Sequence, residues 1–202
     1  MDGLSVYSGG LELRAAGDGT RRLSGRFPYN SLATIHSGGN GKKPRKEAFK
    51  PKAFSYAVDD PERDIHLLIG HDFGKPLASK KAGTFLLNDT DDALGFEAII
   101  TPEIQESTWW SDFNAQFSAG LIGGISPGFR VAPREVVPLP EETVEEDPSL
   151  GNALIRWIFA AILFELSLVT RPAYANTEVD LRQFQWDRHP KSPVYHLNRW
   201  RA

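Results

Sequence analysis

The chain has 202 residues and no cysteine, which excludes disulfides, thiolate metal sites and a cysteine nucleophile. Its composition, 41% hydrophobic and 24% charged, is typical of a soluble globular domain with a real core. A net charge of -3 argues against wholesale nucleic-acid binding. The longest apolar stretch, residues 155–169, is interrupted by Arg156 and Glu165 and is too short to span a bilayer. No secretory leader pattern is found at the N-terminus.

The first half of the chain predicts short strands. Residues 11–15 and 22–27 flank a glycine-containing turn and are typical of a hairpin. Residues 34–44 predict a mobile loop, because glycines and a basic cluster follow one another there. Residues 47–58 predict a short amphipathic segment that buries Phe49 and Phe54. A strand is expected over residues 64–71, and a strand pair over residues 84–87 and 94–100.

A helix is predicted to begin at Thr101, since threonine is a good N-cap and a proline and an acid follow it. One face of this helix is aromatic and is expected to pack into the core: Trp110, Phe113 and Phe117. Gly120 is expected to end the helix. The helix therefore leads directly into the next strand.

That next stretch, residues 120–131, reads GLIGGISPGFRV and places a serine among glycines. Strand alternation puts Ser126 on one face with Gly124, Gly128 and Arg130, and puts the apolar residues on the other face. Glycine inside a strand marks a bulge or a close approach of another group. Two interpretations stay open: a serine that meets a substrate backbone, or a glycine-rich strand that packs against another backbone.

The second half of the chain changes character twice. Residues 133–151 hold four prolines and six acids, which predicts an exposed, partly disordered excursion. Residues 153–170 are β-like but too long for one straight strand, so a bend is expected near Ala160 and Ala161. We expect one mostly β domain over residues 1–180, a barrel or sandwich with accessory helices, followed by a basic tail over residues 181–202. The tail is open to three interpretations: a docking segment, a self-cleaved segment or an ordinary terminus.

A serine nucleophile needs a base within hydrogen-bond reach, and two of the five histidines lie on the strand of residues 64–71. His66 and His71 are five residues apart, so a regular strand would point them to opposite faces. We favour His71 because it stands at the strand's end, although it could equally be a turn histidine with satisfied hydrogen bonds. Asp72 follows it directly and would point away from the imidazole.

Glu165 is the only carboxylate in an apolar strand, and a buried acid needs a partner because its ionised form is costly. The second ring nitrogen of a histidine would satisfy it. Two other arrangements are open: exposure at the strand edge, or pairing with Arg156 or Arg171. No cluster of His, Asp and Glu has ligand spacing, so neither a metal nor a cofactor is expected.

Six segments resemble the prohead (capsid maturation) proteases of tailed bacteriophages of the HK97 type, which are distant relatives of the herpesvirus assemblins. The resembling segments are residues 25–31, 47–54, 67–72, 94–97, 123–129 and 164–173. The resemblance implies a serine endopeptidase on an assemblin-like β-barrel ringed by helices. His71 matches the family's catalytic histidine, Ser126 its nucleophile, and Glu165 the position expected for the third member of a triad.

This sequence departs from the family pattern directly after the serine. Pro127 has no N–H and cannot donate to an oxyanion. The resemblance then leaves Gly128, a water or Arg171 as donor, with Arg130 as a further candidate. The acidic segment of residues 133–151 also looks longer than the family's usual link between these strands.

The implied substrates are the scaffold, or scaffold-like segment, of the major capsid protein, and the chain itself. A homo-oligomer is compatible with this function, whereas nucleic acid and membrane are not expected partners. The expected location is the host bacterial cytoplasm, inside the immature capsid. The alternative is a catalytically idle β-barrel that acts as a capsid scaffold or assembly factor. Convergence of Ser126, His71 and Glu165 would favour the protease.

Overall fold

The computed structural model describes residues 5–8, as backbone, and residues 10–174. Within them the chain forms thirteen strands and three short helices. In chain order these are β1 Ser5–Ser8, β2 Leu11–Ala15, β3 Arg21–Pro28, β4 Ala33–His36, β5 Arg45–Phe49, α1 Ser55–Val58, β6 His66–Ile69, β7 Asp72–Ser79, β8 Phe85–Asp89, β9 Ala93–Ile100, α2 Pro102–Gln105, α3 Thr108–Ser118, β10 Gly124–Val131, β11 Glu141–Glu145, β12 Leu154–Ile158 and β13 Ala161–Val169.

The strands belong to three separate sheets. Their orders are β1-β2-β3-β9-β8, β10-β13-β6-β7 and β11-β12-β5-β4. The predicted mostly β class with accessory helices is confirmed. The described residues form no closed barrel, so the assemblin-like barrel is not confirmed. None of the described helices is long and apolar enough to cross a membrane.

The predicted hairpins are present. Strand β2 pairs with β3, and β8 pairs with β9, both antiparallel. The predicted helix is interrupted: α2 ends before Ser107, whose side chain then caps α3 by accepting from the backbone N–H of Trp110. The aromatic face of α3 is buried as expected, and Gly120 follows the helix with φ 71°, the left-handed conformation common just after a helix.

Three loop assignments change. The predicted mobile loop of residues 34–44 is largely a hairpin connection, because β4 pairs with β5 and a bridge joins Gly39 and Lys42. The acidic segment of residues 133–151 is not wholly an excursion, since its middle forms β11 against β12. The expected bend near Ala160 is confirmed as a break that separates β12 from β13 and sends them into different sheets. The basic tail of residues 181–202 lies outside the described residues.

Aromatic rings fill the space between the sheets. Phe49 packs edge-on against Phe27 and Phe129, with centroid distances of 5.4 and 4.8 Å. Phe54 and Tyr174 contact the same ring, and all but Phe129 are buried. Each buried aromatic side chain removes a large apolar area from water. The expected burial of Phe49 and Phe54 is confirmed, and β10 is anchored in the core through Phe129.

A buried carboxylate also links the sheet of β5 and β12 to the chain beyond β13. Glu47 has no exposed surface, and its oxygens accept from Arg156 at 2.9 Å and from the hydroxyl of Tyr174 at 2.5 Å. Arg156 also pairs with Glu141 of β11. Such a charge is tolerated only with partners, so these contacts fix where the chain runs after β13.

Asp64 joins the two strands of the β6–β7 hairpin at the end away from its turn. Its Oδ1 accepts from the hydroxyl of Ser79 at 2.7 Å and from the backbone N–H of Lys81 at 3.0 Å. Partial burial by itself would raise the pKa of Asp64, but these hydrogen bonds, together with the nearby His66, hold that pKa below its ordinary value. Asp64 therefore stabilises the hairpin above the pKa of the unfolded chain, about 3.9.

We expect Asp64→Asn to lower the melting temperature at pH 7 by about 2–4 °C, the effect of weakening its hydrogen bonds by roughly 1 kcal/mol. The difference should shrink as the pH falls through the folded-state pKa, because the wild-type carboxylate is then neutral too. Thermal melts between pH 3 and 7 measure this. Asp112→Asn, at an exposed position on α3, is the control. If Asp64→Asn lowered the melting temperature equally at every pH, the prediction would be contradicted.

Candidate active site

His71 lies in the turn between β6 and β7, not on the strand itself. Ile69 pairs with Asp72, so Gly70 and His71 form a two-residue turn with φ values of 63° and 62°. Two central residues with positive φ are typical of a type I′ hairpin turn. Glycine adopts this conformation freely, whereas histidine does so at some cost. The turn therefore holds the His71 side chain in a fixed direction.

That direction leads to Glu165 on the neighbouring strand β13. Nδ1 of His71 lies 2.7 Å from Oε1 of Glu165, whose residue is only 3% exposed. An ionised carboxylate can only accept, so Nδ1 carries the proton and Nε2 of a neutral ring is free to act as a base. The predicted partner of the buried acid is thus His71. Arg156 pairs with Glu47 and Glu141 instead.

Ser167, two residues further along β13, contacts both members of this pair. Its hydroxyl donates to Oε2 of Glu165 at 2.6 Å and accepts from the backbone N–H of His71 at 2.8 Å. Ser167 has no exposed surface. Sequence reasoning missed its role, although a polar residue at i+2 from Glu165, on the same face of an apolar strand, was available as an indication.

Gly128 of β10 makes room for the carboxylate. It pairs with Glu165, and a Cβ atom at this position would lie 2.0 Å from Oε1 of Glu165. Real Cβ atoms essentially never come so close to another heavy atom, and the carboxylate held there is buried. The glycine after Pro127 is therefore required by the position of Glu165.

Ser126 stands directly opposite Ser167 in the antiparallel pair of β10 and β13. Side chains opposed in this way share a face, with Cβ atoms roughly 4.5–5.5 Å apart. Ser126 is half-buried, and its hydroxyl forms no hydrogen bond with any other described residue. The sheet therefore brings Ser126 to the same face as Glu165 and one strand away from it.

The argument from strand parity about His66 is wrong, because the turn at Gly70 intervenes before His71. His66 pairs in register with Glu165 and shares its face. Its ring is nevertheless engaged elsewhere: Nε2 lies 3.4 Å from Asp64, and Phe73 packs edge-on at 5.9 Å. Asp72, as expected, does not orient His71 and instead accepts from the N–H of Gly74.

Both arginines that are candidate oxyanion donors are exposed. Arg171 is exposed just beyond β13 and forms no ion pair with the described residues. Arg130 is also exposed, and its guanidinium lies 5.7 Å from the ring centre of Phe164. Among the described residues no group of three or more His, Asp or Glu side chains could hold a metal ion.

The described sheet therefore has a serine on the same face as a histidine–glutamate pair, and serine hydrolases use these residue types. The sequence matches the model of the caudovirus prohead serine proteases over residues 29–192. The chain belongs to this family, which indicates a role in capsid maturation. No curated protein and no solved structure matches it. The predicted protease class is thereby confirmed at the level of this family.

Gly128→Ala should displace the carboxylate of Glu165 from His71, because the new methyl group would occupy its place. Leaving a buried charge without its partner costs about 3–5 kcal/mol, so a clear fall in melting temperature is expected. Gly95→Ala is the matched control on β9, since a Cβ there meets only the carbonyl oxygen of Asn88 at 3.6 Å. Equal melting temperatures for the two variants would show that Gly128 is not needed for space.

Proposed function

We propose that the chain is a serine endopeptidase in which Ser126 is the nucleophile, His71 the general base and Glu165 the acid that orients it. The observation that carries this proposal is the 2.7 Å contact between His71 Nδ1 and Glu165 Oε1, on the sheet face that Ser126 shares. Family membership supports the same chemistry. The three residues occur in the order His, Ser, Glu, one more chain order for a recurrent geometry.

In the proposed reaction Oγ of Ser126 attacks the scissile carbonyl carbon while Nε2 of His71 takes its proton. The imidazolium that forms is stabilised by Glu165 through Nδ1–H. The proton then passes to the leaving amine, and water repeats the sequence to release the acyl group from Ser126. Burial of Glu165 strengthens its interaction with the imidazolium, because little water screens it.

The oxyanion donor must come from outside position 127, since Pro127 has no N–H. The proposed donors are the N–H of Gly128 and the guanidinium of Arg171, with Arg130 as a further candidate. Arg171 is supported by its exposure and by its lack of an ion pair within the described residues, which leave its donors available. A single oxyanion donor is worth on the order of a hundredfold to a thousandfold in rate.

The proposed substrates are the scaffold segment of the major capsid protein and the chain itself, cleaved inside the immature capsid in the host cytoplasm. Within the described residues β10 lies at one edge of its sheet, so an extended peptide could pair with it beside Ser126. We also propose that the chain is related to the HK97-type prohead proteases and, more distantly, to the herpesvirus assemblins. Co-expression with the capsid protein of the same phage, followed by intact-mass analysis of both chains, tests it.

Ser126→Ala and His71→Ala should each reduce cleavage by up to about a millionfold, because nucleophile and base act as a unit. Glu165→Gln should cost on the order of ten thousandfold, since the ring loses its orienting charge. His66→Ala is the control and should stay active, because its ring contacts Asp64 rather than the site. The rate of capsid-protein processing by each purified variant measures this.

Normal cleavage by Ser126→Ala would remove the protease proposal. A dead His66→Ala with an active His71→Ala would show that the wrong histidine was assigned. Circular dichroism of every variant separates loss of the fold from loss of chemistry.

Arg171→Ala should lower the turnover rate about a hundredfold to a thousandfold if its guanidinium binds the oxyanion. Arg130→Ala tests the further candidate, and Arg134→Ala, an exposed arginine just beyond β10, is the control. Turnover should be measured at saturating substrate, so that weakened binding is not mistaken for slower chemistry. Three variants with equal turnover would leave the N–H of Gly128 or a water as the proposed donor.

A further inference from the structure

Ser167 is a buried hydroxyl that the proposed reaction does not use. It is one of very few buried polar side chains among the described residues, and it has no exposed surface. It lies on β13, between Ser126 on one neighbouring strand and the turn of His71 beyond the other. We propose that Ser167 is a positioning residue that fixes His71 and Glu165 relative to each other. This inference rests on the proposed function.

The hydroxyl of Ser167 forms two hydrogen bonds, one as a donor to Glu165 and one as an acceptor from His71. Its O–H donates to Oε2 of Glu165 at 2.6 Å, the carboxylate oxygen that does not face His71. Its oxygen accepts from the backbone N–H of His71 at 2.8 Å. Together with the bond from Nδ1 to Oε1, these contacts close a ring through His71, Glu165 and Ser167.

Each of these hydrogen bonds restricts a torsion that would otherwise let His71 and Glu165 move relative to each other. The terminal torsion of a glutamate side chain is broad, so one hydrogen bond does not fix the carboxylate plane. The bond from Ser167 to Oε2 fixes the second oxygen. His71 has φ 62°, a conformation that costs a non-glycine residue free energy, and the bond to its N–H helps to hold that turn. The imidazole is therefore held from both its backbone and its ring.

The chain offers a matched control in Ser79, at the far end of β7 in the same sheet. Its hydroxyl also donates to a carboxylate, Oδ1 of Asp64, at 2.7 Å, and accepts from a backbone N–H, that of Ala82, at 3.3 Å. Ser79→Ala thus removes the same kind of hydrogen bonds without touching His71 or Glu165. A merely structural role for Ser167 would make the two variants alike.

The first measurement is the low-field proton NMR signal of the His71 Nδ1–H in the full chain. The signal is assigned with Glu165→Gln, which should abolish it. Ser167→Ala should broaden the signal or lose it. Ser79→Ala and Ser126→Ala should keep it. Ser167→Thr, which keeps the hydroxyl, should restore it. If Ser167→Ala does not fold, Ser167→Cys replaces it, since the thiol keeps the volume and weakens both bonds. This readout does not depend on protease activity.

The second measurement is the rate of covalent labelling by a fluorophosphonate probe. Oγ of Ser126 forms a bond to phosphorus, fluoride leaves, and the serine proton passes to His71. Ser167→Ala should label about tenfold to a hundredfold more slowly than wild type, because a misplaced base costs rate. Ser79→Ala should label at the wild-type rate, and Ser126→Ala should not label.

The outcomes separate the two ideas. Labelling of Ser126→Ala at the wild-type rate would overturn the proposed function, while the NMR signal would still test Ser167. If wild type labels and Ser126→Ala does not, but Ser167→Ala matches Ser79→Ala in both signal and rate, the positioning role is wrong.

Discussion

The carboxylate of Glu165 is the constraint on which the rest of the site depends. An ionised group that is 3% exposed needs donors around it, or its desolvation would exceed what the fold can offset. The ring of His71 and the hydroxyl of Ser167 supply those donors, and the missing side chain of Gly128 supplies the space. The identities of these three positions follow from one buried charge.

The topology of one sheet brings these groups together from distant parts of the chain. Strand β13 lies between β10, which pairs with it antiparallel, and β6, which pairs with it in parallel. The parallel pairing carries β6 past Ser167. The turn that follows brings the backbone N–H of His71 to Ser167, and the ring of His71 reaches Glu165. The break between β12 and β13 then matters, because it frees β13 from the sheet of β12 to occupy this central position.

Local patterns predicted the parts of this arrangement that depend on nearby residues. The hairpins and the aromatic face of α3 follow from turn residues and periodicity. The bend near Ala160 and Ala161 follows from the length of the β-like stretch. A carboxylate in an apolar strand correctly indicated a partner for Glu165. The shift of His71 from strand to turn depends on the φ values of two residues, and no periodicity argument detects it. Strand β11 was missed because its acids are stabilised by cations from elsewhere, such as Arg156 for Glu141.

The glycine-rich stretch of residues 120–131 had two interpretations: close packing against another backbone, or space around a reactive serine. They are compatible, because different glycines in it contact different groups. Gly123 packs against backbone: a Cβ there would lie 2.3 Å from the carbonyl oxygen of Thr170. Gly128 instead faces a side chain, the carboxylate of Glu165. Close approach at both ends draws β10 tightly onto β13, and Ser126 lies between the two contacts. The absence of side chains around the serine is thus, first of all, the condition for bringing it near Glu165 and Ser167. The proposed function needs access for a peptide backbone, and the same absence would provide it.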